Sequence, residues 1–177
     1  YSFPEVIKVQ ELNLRDIIKF DMTGAIKITP EDFDFTSIPE ECILTDMENE
    51  EDEIPEKVHP YLRLKAKTRD TEYADKIHKN LLSFGKRISP IHSEIIDIRN
   101  TCKTIICSYD HQPRLYVPLR NSNGYFARCI LPDELKQIQG FPQDFILTGN
   151  NKNKITQIGN AVPPPLVYKI VLSLINK

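Results

Sequence analysis

The chain ends on a segment that demands a partner. Pro163, Pro164 and Pro165 open a helical stretch over residues 166–177, and three prolines keep any preceding helix from running into it. Leu166, Val167, Ile170, Val171, Leu174 and Ile175 recur at helical spacing and make a wide apolar stripe. Left uncovered, such a stripe is an exposed hydrophobic patch. The rest of the sequence must therefore be read for what could cover it.

The remaining 160-odd residues suffice for one domain of ordinary size, or one and a fraction. At 40% hydrophobic and 27% charged, the composition fits a soluble globular chain and argues against wholesale disorder. No apolar run approaches the roughly twenty residues of a membrane span, so none is expected. The opening Tyr1-Ser2-Phe3-Pro4-Glu5 reads as neither a signal peptide nor an initiator, which points to part of a longer or trimmed polypeptide. The net charge of −2 hides an asymmetry: residues 1–58 carry 16 Asp/Glu and 5 Lys/Arg, and residues 59–177 carry 9 and 18. The basic part suits a polyanion, because each cation placed near a phosphate releases condensed counterions. Alternatively, the basic and acidic parts face each other within the fold. Cys42, Cys102, Cys107 and Cys129 form no Cys-x-x-Cys pair, so free thiols in a reducing compartment are expected and no structural metal.

Residues 5–20 read as a strand entering a short helix, with Asn13 a possible cap. The acidic run over 46–57, interrupted by Pro55, reads as a solvated loop of unassigned role. Tyr73, Ile77 and Leu81 predict a helix over 70–83, with Gly85 as the stop. Residues 104–109 (TIICSY) carry a strand signal, and residues 115–119 a second strand broken or edged by Pro118. Asn121-Ser122-Asn123-Gly124 predicts a turn, and Pro132-Asp133-Glu134 a helix start that Gly140-Phe141-Pro142 ends.

A self-sufficient active site is missing on generic grounds. There is no Gly-x-Gly phosphate or dinucleotide loop and no Gly-x-Ser-x-Gly elbow. His59, His78, His92 and His111 lack metal-ligand spacing, and no cysteine stands in a nucleophile setting such as Pro-Cys. No catalytic residue and no metal ligand is expected within the chain.

Two C-terminal blocks change this picture. Residues 128–142, from Arg128 through Gln139-Gly140-Phe141-Pro142, and residues 157–163, with Gly159-Asn160-Ala161-Val162-Pro163, resemble the last two signature motifs of the DNA (cytosine-5) methyltransferases, in order and spacing. Thr104-Ile105, followed by Ser108-Tyr109, resembles the threonine–aliphatic pair of that family's target-recognition domain. Phe3-Pro4 and Leu14-Arg15-Asp16-Ile17 resemble the stretch after its eighth motif, while residues 21–100 match by position alone.

The resemblance implies roles residue by residue. Asn160 and Ala161 would line the pocket for S-adenosyl-L-methionine (AdoMet): a side-chain amide can bond a carboxylate or ribose hydroxyl, and a small neighbour lets backbone approach. Thr104 and Ile105 would lie at the DNA near an extruded cytosine. Arg128, Glu134, Gln139 and Gly140 would organise the recognition domain, with Arg128 and Glu134 as a buried charge-assisted pair. Leu131 and Gln137 stand where the family usually has Thr and Arg, and Asp110-His111-Gln112-Pro113-Arg114 replaces a glycine-rich recognition loop. The family's AdoMet glycine loop, Pro-Cys nucleophile, Glu-Asn-Val acid and Arg-rich eighth motif are absent from these residues.

The expected architecture is α/β: a small strand-rich recognition domain over 21–155, and a motif and helix over 156–177 that dock on a Rossmann-like AdoMet-dependent methyltransferase domain outside the chain. Residues 1–20 would be the tail of that catalytic domain. The implied activity is methyl transfer from AdoMet to carbon 5 of a flipped cytosine in double-stranded DNA. The chain would supply DNA recognition and part of the cofactor pocket, and would be inactive without an N-terminal catalytic half or subunit. A restriction–modification setting in a prokaryotic cytoplasm, near the nucleoid, is the expected context. The rival reading is a DNA-binding or regulatory module that has lost catalysis.

Overall fold

In a computed structural model of the protein, residues 12–50, 82–86, 93–110 and 113–175 are described. The strand expected over 5–11, Phe3-Pro4, residues 51–57 of the acidic run, residues 70–81 of the expected helix and all four histidines lie outside these.

The longest strand organises the rest. Leu115–Asn121 (LYVPLRN) is nearly continuous in apolar residues and is buried on both faces, as a central strand must be. With Gly124–Cys129 it forms an antiparallel hairpin closed by Ser122 and Asn123, in register from Tyr116 opposite Cys129 to Asn121 opposite Gly124. In chain order the strands are β1 (Ile26–Lys27), β2 (Leu44–Thr45), β3 (Leu82–Phe84), β4 (Ser93–Ile95), β5 (Leu115–Asn121) and β6 (Gly124–Cys129). Among the described residues they make one mixed sheet ordered β1-β6-β5-β4-β3. The free edge of β5 is shared: β4 runs parallel to its first half, and β2 parallel to its second half.

That shared edge explains a departure from the sequence reading, since Pro118 neither breaks nor edges its strand. The carbonyls of Arg114 and Tyr116 accept from the Glu94 and Ile96 amides, and that of Arg120 from Asp46. By alternation the missing Pro118 amide faces the same side, where the partner changes from β4 to β2. The ladder to β6 therefore loses nothing.

The helices are α1 (Leu14–Ile17), α2 (Pro132–Ile138), α3 (Asn151–Asn160) and α4 (Pro164–Ile175). Asn13 precedes α1 but makes no side-chain cap; instead the Leu14 and Arg15 amides reach the carbonyls of Asn100 and Ile98. Leu14 and Ile18 at α1, and Leu135, Ile155 and Ile158 from α2 and α3, join the sheet's Ile95, Tyr116, Leu119 and Phe126 in one buried cluster. Each such side chain contributes about 1.5–3 kcal/mol of burial. Helix α3 was not expected from the sequence. Its signals are Asn150, whose side chain accepts from the Asn153 amide, and the Ile155/Ile158 pair.

Two other expectations are corrected. Leu82 and Ser83, placed at the end of a helix, belong to β3, parallel to β4. Residues 104–109 are irregular backbone ending in a turn, not a strand. Their partner is the face of α3, which meets the backbone of Ile106 and Cys107 and leaves no ladder to join.

Helix α4 matches its sequence reading and remains uncovered: none of its 12 residues is buried, and Leu174 and Ile175 are 64% and 68% exposed. Residues 151–175, counted as one 25-residue helix, would be long and apolar enough on average to cross a membrane. The helix breaks at residues 161–163, however. Alone, α4 is about 18 Å long, against a hydrocarbon core of about 30 Å.

Candidate functional site

Arg128 anchors the region. It leaves β6 fully buried, and all five guanidinium donors are used. Nη1 and Nη2 donate to the Glu134 carboxylate at 2.8 and 2.7 Å. The remaining donors reach the carbonyls of Asp21, Lys19 and Cys129 at 2.8, 2.8 and 2.9 Å. Glu134 in turn accepts from the Leu131 amide at 2.8 Å, the glutamate half of a capping box at the start of α2. Leu131, where the family usually has Thr, has no oxygen to return that bond. A buried ion pair holds only when its remaining hydrogen bonds are filled, and here they are. The predicted charge-assisted pair is present, and it ties β6, α2 and the chain after α1 together.

The next two predicted residues act on the C-terminal motif. Gln139 donates from Nε2 to the Ala161 carbonyl at 2.9 Å. Gly140 sits at φ +85°, and a Cβ there would come within 2.7 Å of the Pro165 ring. Only glycine takes that backbone without strain and leaves room for the proline. The end of α2 is thereby clasped to both sides of the break between α3 and α4. Asn160 is the last residue of α3 and Ala161 its C-cap. Asn160 is exposed, and its side-chain amide meets no partner among the described residues.

The third element is the loop that carries Thr104 and Ile105. Thr104 is exposed, whereas Ile105 is 9% exposed and belongs to the core. Thr104 thus presents its side chain, and Ile105 fixes the backbone beneath it. Tyr109 ends the loop: its hydroxyl donates to the Leu115 carbonyl at 2.6 Å and accepts from the Ile130 amide at 2.9 Å. Burial pushes that hydroxyl well above the usual phenol range, so it stays a neutral structural pin. Lys103, Thr104, Ile106, Tyr109 and Arg114 line an open cleft of ≈ 520 Å³. Lys103 pairs with the buried Glu94 carboxylate.

Loop and motif touch. A Cβ on Gly159 would lie 2.4 Å from the Cys107 nitrogen and 2.6 Å from the Ile106 carbonyl carbon. Gly159 within a helix costs roughly 1 kcal/mol against alanine, and such a glycine usually has a packing reason. That was the available signal for this contact, which sequence reasoning missed.

Three of the four cysteines, Cys42, Cys102 and Cys129, offer little nucleophilic chemistry. Burial raises the thiols of Cys42 and Cys102 to about 11 and that of Cys129 to about 12, which disfavours the reactive thiolate at neutral pH. Among the described residues, no group of three His, Cys, Asp or Glu side chains is arranged to hold a metal ion.

The geometry defines a mixed α/β module in which a sheet-borne loop and a glycine–asparagine motif are locked together by a buried arginine–glutamate knot. The family model for C-5 cytosine-specific DNA methylases matches residues 12–176, and the chain belongs to that family. It is 51% identical over 43 residues to DNA (cytosine-5)-methyltransferase 1A of Oryza sativa subsp. japonica, covering 24% of this chain and 3% of that protein. It is 40% identical over 55 residues to DNA (cytosine-5)-methyltransferase 3 of Arabidopsis thaliana, covering 27% of this chain and 4% of that protein. The chain thus spans only a small part of the curated relatives it matches. No solved structure matches.

Proposed function

We propose that this chain is the DNA-recognition and cofactor-pocket-completing part of a DNA (cytosine-5) methyltransferase, working with an N-terminal catalytic half or subunit that supplies a Rossmann-like domain. The observation that carries the proposal is α4. An apolar helix with none of its 12 residues buried follows directly on the motif that holds Asn160 and Ala161. A domain seated on α4 would cover the stripe and bring its own cofactor-binding elements against that motif.

In this arrangement AdoMet supplies the methyl group. Asn160 hydrogen-bonds one edge of the cofactor, and Ala161 leaves it room. Thr104 meets double-stranded DNA beside the extruded cytosine, with Arg114 supplying positive charge along the neighbouring cleft. The catalytic nucleophile and acid come from the other half, so the isolated chain transfers no methyl group. A restriction–modification role in a prokaryotic cytoplasm is one setting for this activity, though the relatives named above are plant enzymes.

In the assembled enzyme, Asn160→Ala is expected to weaken AdoMet binding about tenfold, as loss of one hydrogen bond to a charged or polar group would. Isothermal titration reads the change, and unaltered affinity would remove Asn160 from the pocket.

A further inference from the structure

We infer that Gly159 is a positioning residue: its bare backbone seats the DNA-reading loop directly on the helix that ends in the cofactor motif, so that AdoMet binding and DNA binding are coupled. The inference rests on the proposed methyltransferase function and extends it to how the two ligands communicate.

Gly159 is adjacent to Asn160, and the backbone it touches, Ile106–Cys107, lies two and three residues beyond Thr104. All three close approaches of a Cβ at Gly159 fall on backbone atoms, at 2.4, 2.5 and 2.6 Å. No side chain can swing aside to relieve them. Each partner is also firmly held. Ile155 and Ile158 fix α3 in the core, and Gln139 holds the carbonyl of Ala161. Ile105 is buried, and Tyr109 pins the far end of the loop to β5 and to the residue after β6. Between two rigid pieces in contact, a shift of one is passed to the other rather than absorbed. A ligand that orders Asn160 therefore orders the Thr104 loop, and by linkage DNA on that loop favours the cofactor by the same factor.

The test uses the chain assembled with its catalytic half, with AdoMet as the probe. In the wild type without DNA, AdoMet is expected to slow amide hydrogen exchange at residues 104–109 as well as at 158–162. AdoMet is also expected to tighten DNA binding by about 5–150-fold, the usual range of coupling between sites. Gly159→Ala, which must displace the loop by about 1 Å, is expected to bring that factor close to one and to lower kcat about 100-fold. Unchanged exchange at 104–109, or an unaltered coupling factor in a folded Gly159→Ala enzyme, would overturn the inference while leaving the methyltransferase reading intact. If Gly159→Ala does not fold, the wild-type exchange experiment decides alone. If exchange at 158–162 itself ignores AdoMet, the proposed function fails and this coupling fails with it.

Discussion

At the scale of single residues, the polar groups that matter most are those removed from water. Arg128 is fully buried with five hydrogen bonds, two of them to Glu134. Replacing it by methionine strands a buried carboxylate, and Arg128→Met is expected to cost about 3–5 kcal/mol in urea unfolding. A loss under 1 kcal/mol would mean that Glu134 finds another partner. Asp97 gives a pH signature. Bidentate contact with Arg99 holds its carboxyl at about 2, below the ordinary 3.8, against the opposing effect of burial. A folded value below the unfolded one stabilises at higher pH, so this contribution is complete above about pH 4 and fades as pH falls toward 2. The stability gap between wild type and Asp97→Asn should therefore be widest at neutral pH and close across that interval; a gap independent of pH would contradict it. The Arg128–Glu134 pair was legible in the sequence because the motif resemblance assigned it. The Asp97–Arg99–Glu41 cluster was not, since Glu41 lies 58 residues from Arg99 and no motif joins them.

At the scale of elements, agreement followed the strength of local patterning. The β5–β6 turn, the start and stop of α2, and α4 lie where Asn-Gly, Pro-Asp-Glu and the apolar stripe place them. The misreadings share a cause: tertiary contact overrode local preference. Residues 104–109 have strand-forming side chains, but the face of α3 occupies their backbone. Pro118 looks like a strand breaker, but its missing amide falls where β5 changes partners. Gly140 belongs to the same scale, because it joins the end of α2 to the start of α4. Gly140→Ala must adopt φ +85° and displace the Pro165 ring, which is expected to lower stability by roughly 1–3 kcal/mol in thermal unfolding. An unchanged melting temperature would show that the α2–α4 contact bears no strain.

At the scale of the whole molecule, the charge asymmetry and the uncovered helix point the same way. The basic residues 59–177 contain every position matched to DNA or cofactor, as well as α4. The acidic run begins with Asp46, Asn49 and Glu50 stitched to β5 and its turn, through Asp46 to Arg120, Ser122 to Asn49 and Asn123 to Glu50. Site legibility was uneven at this scale. The motif blocks gave the residues, but their mutual contact depends on how α3 crosses the loop, which no spacing encodes. The central claim is that this chain completes a methyltransferase whose catalytic domain sits on α4. Its most direct test is transfer of a radiolabelled methyl group from AdoMet to DNA by the chain alone, by a catalytic half alone, and by the two mixed. Activity is predicted only in the mixture, at cytosine carbon 5, and Val171→Asp with Leu174→Asp should abolish it without unfolding the chain. Mixtures with catalytic halves that never methylate DNA, or a mixture indifferent to the α4 substitutions, would contradict the account.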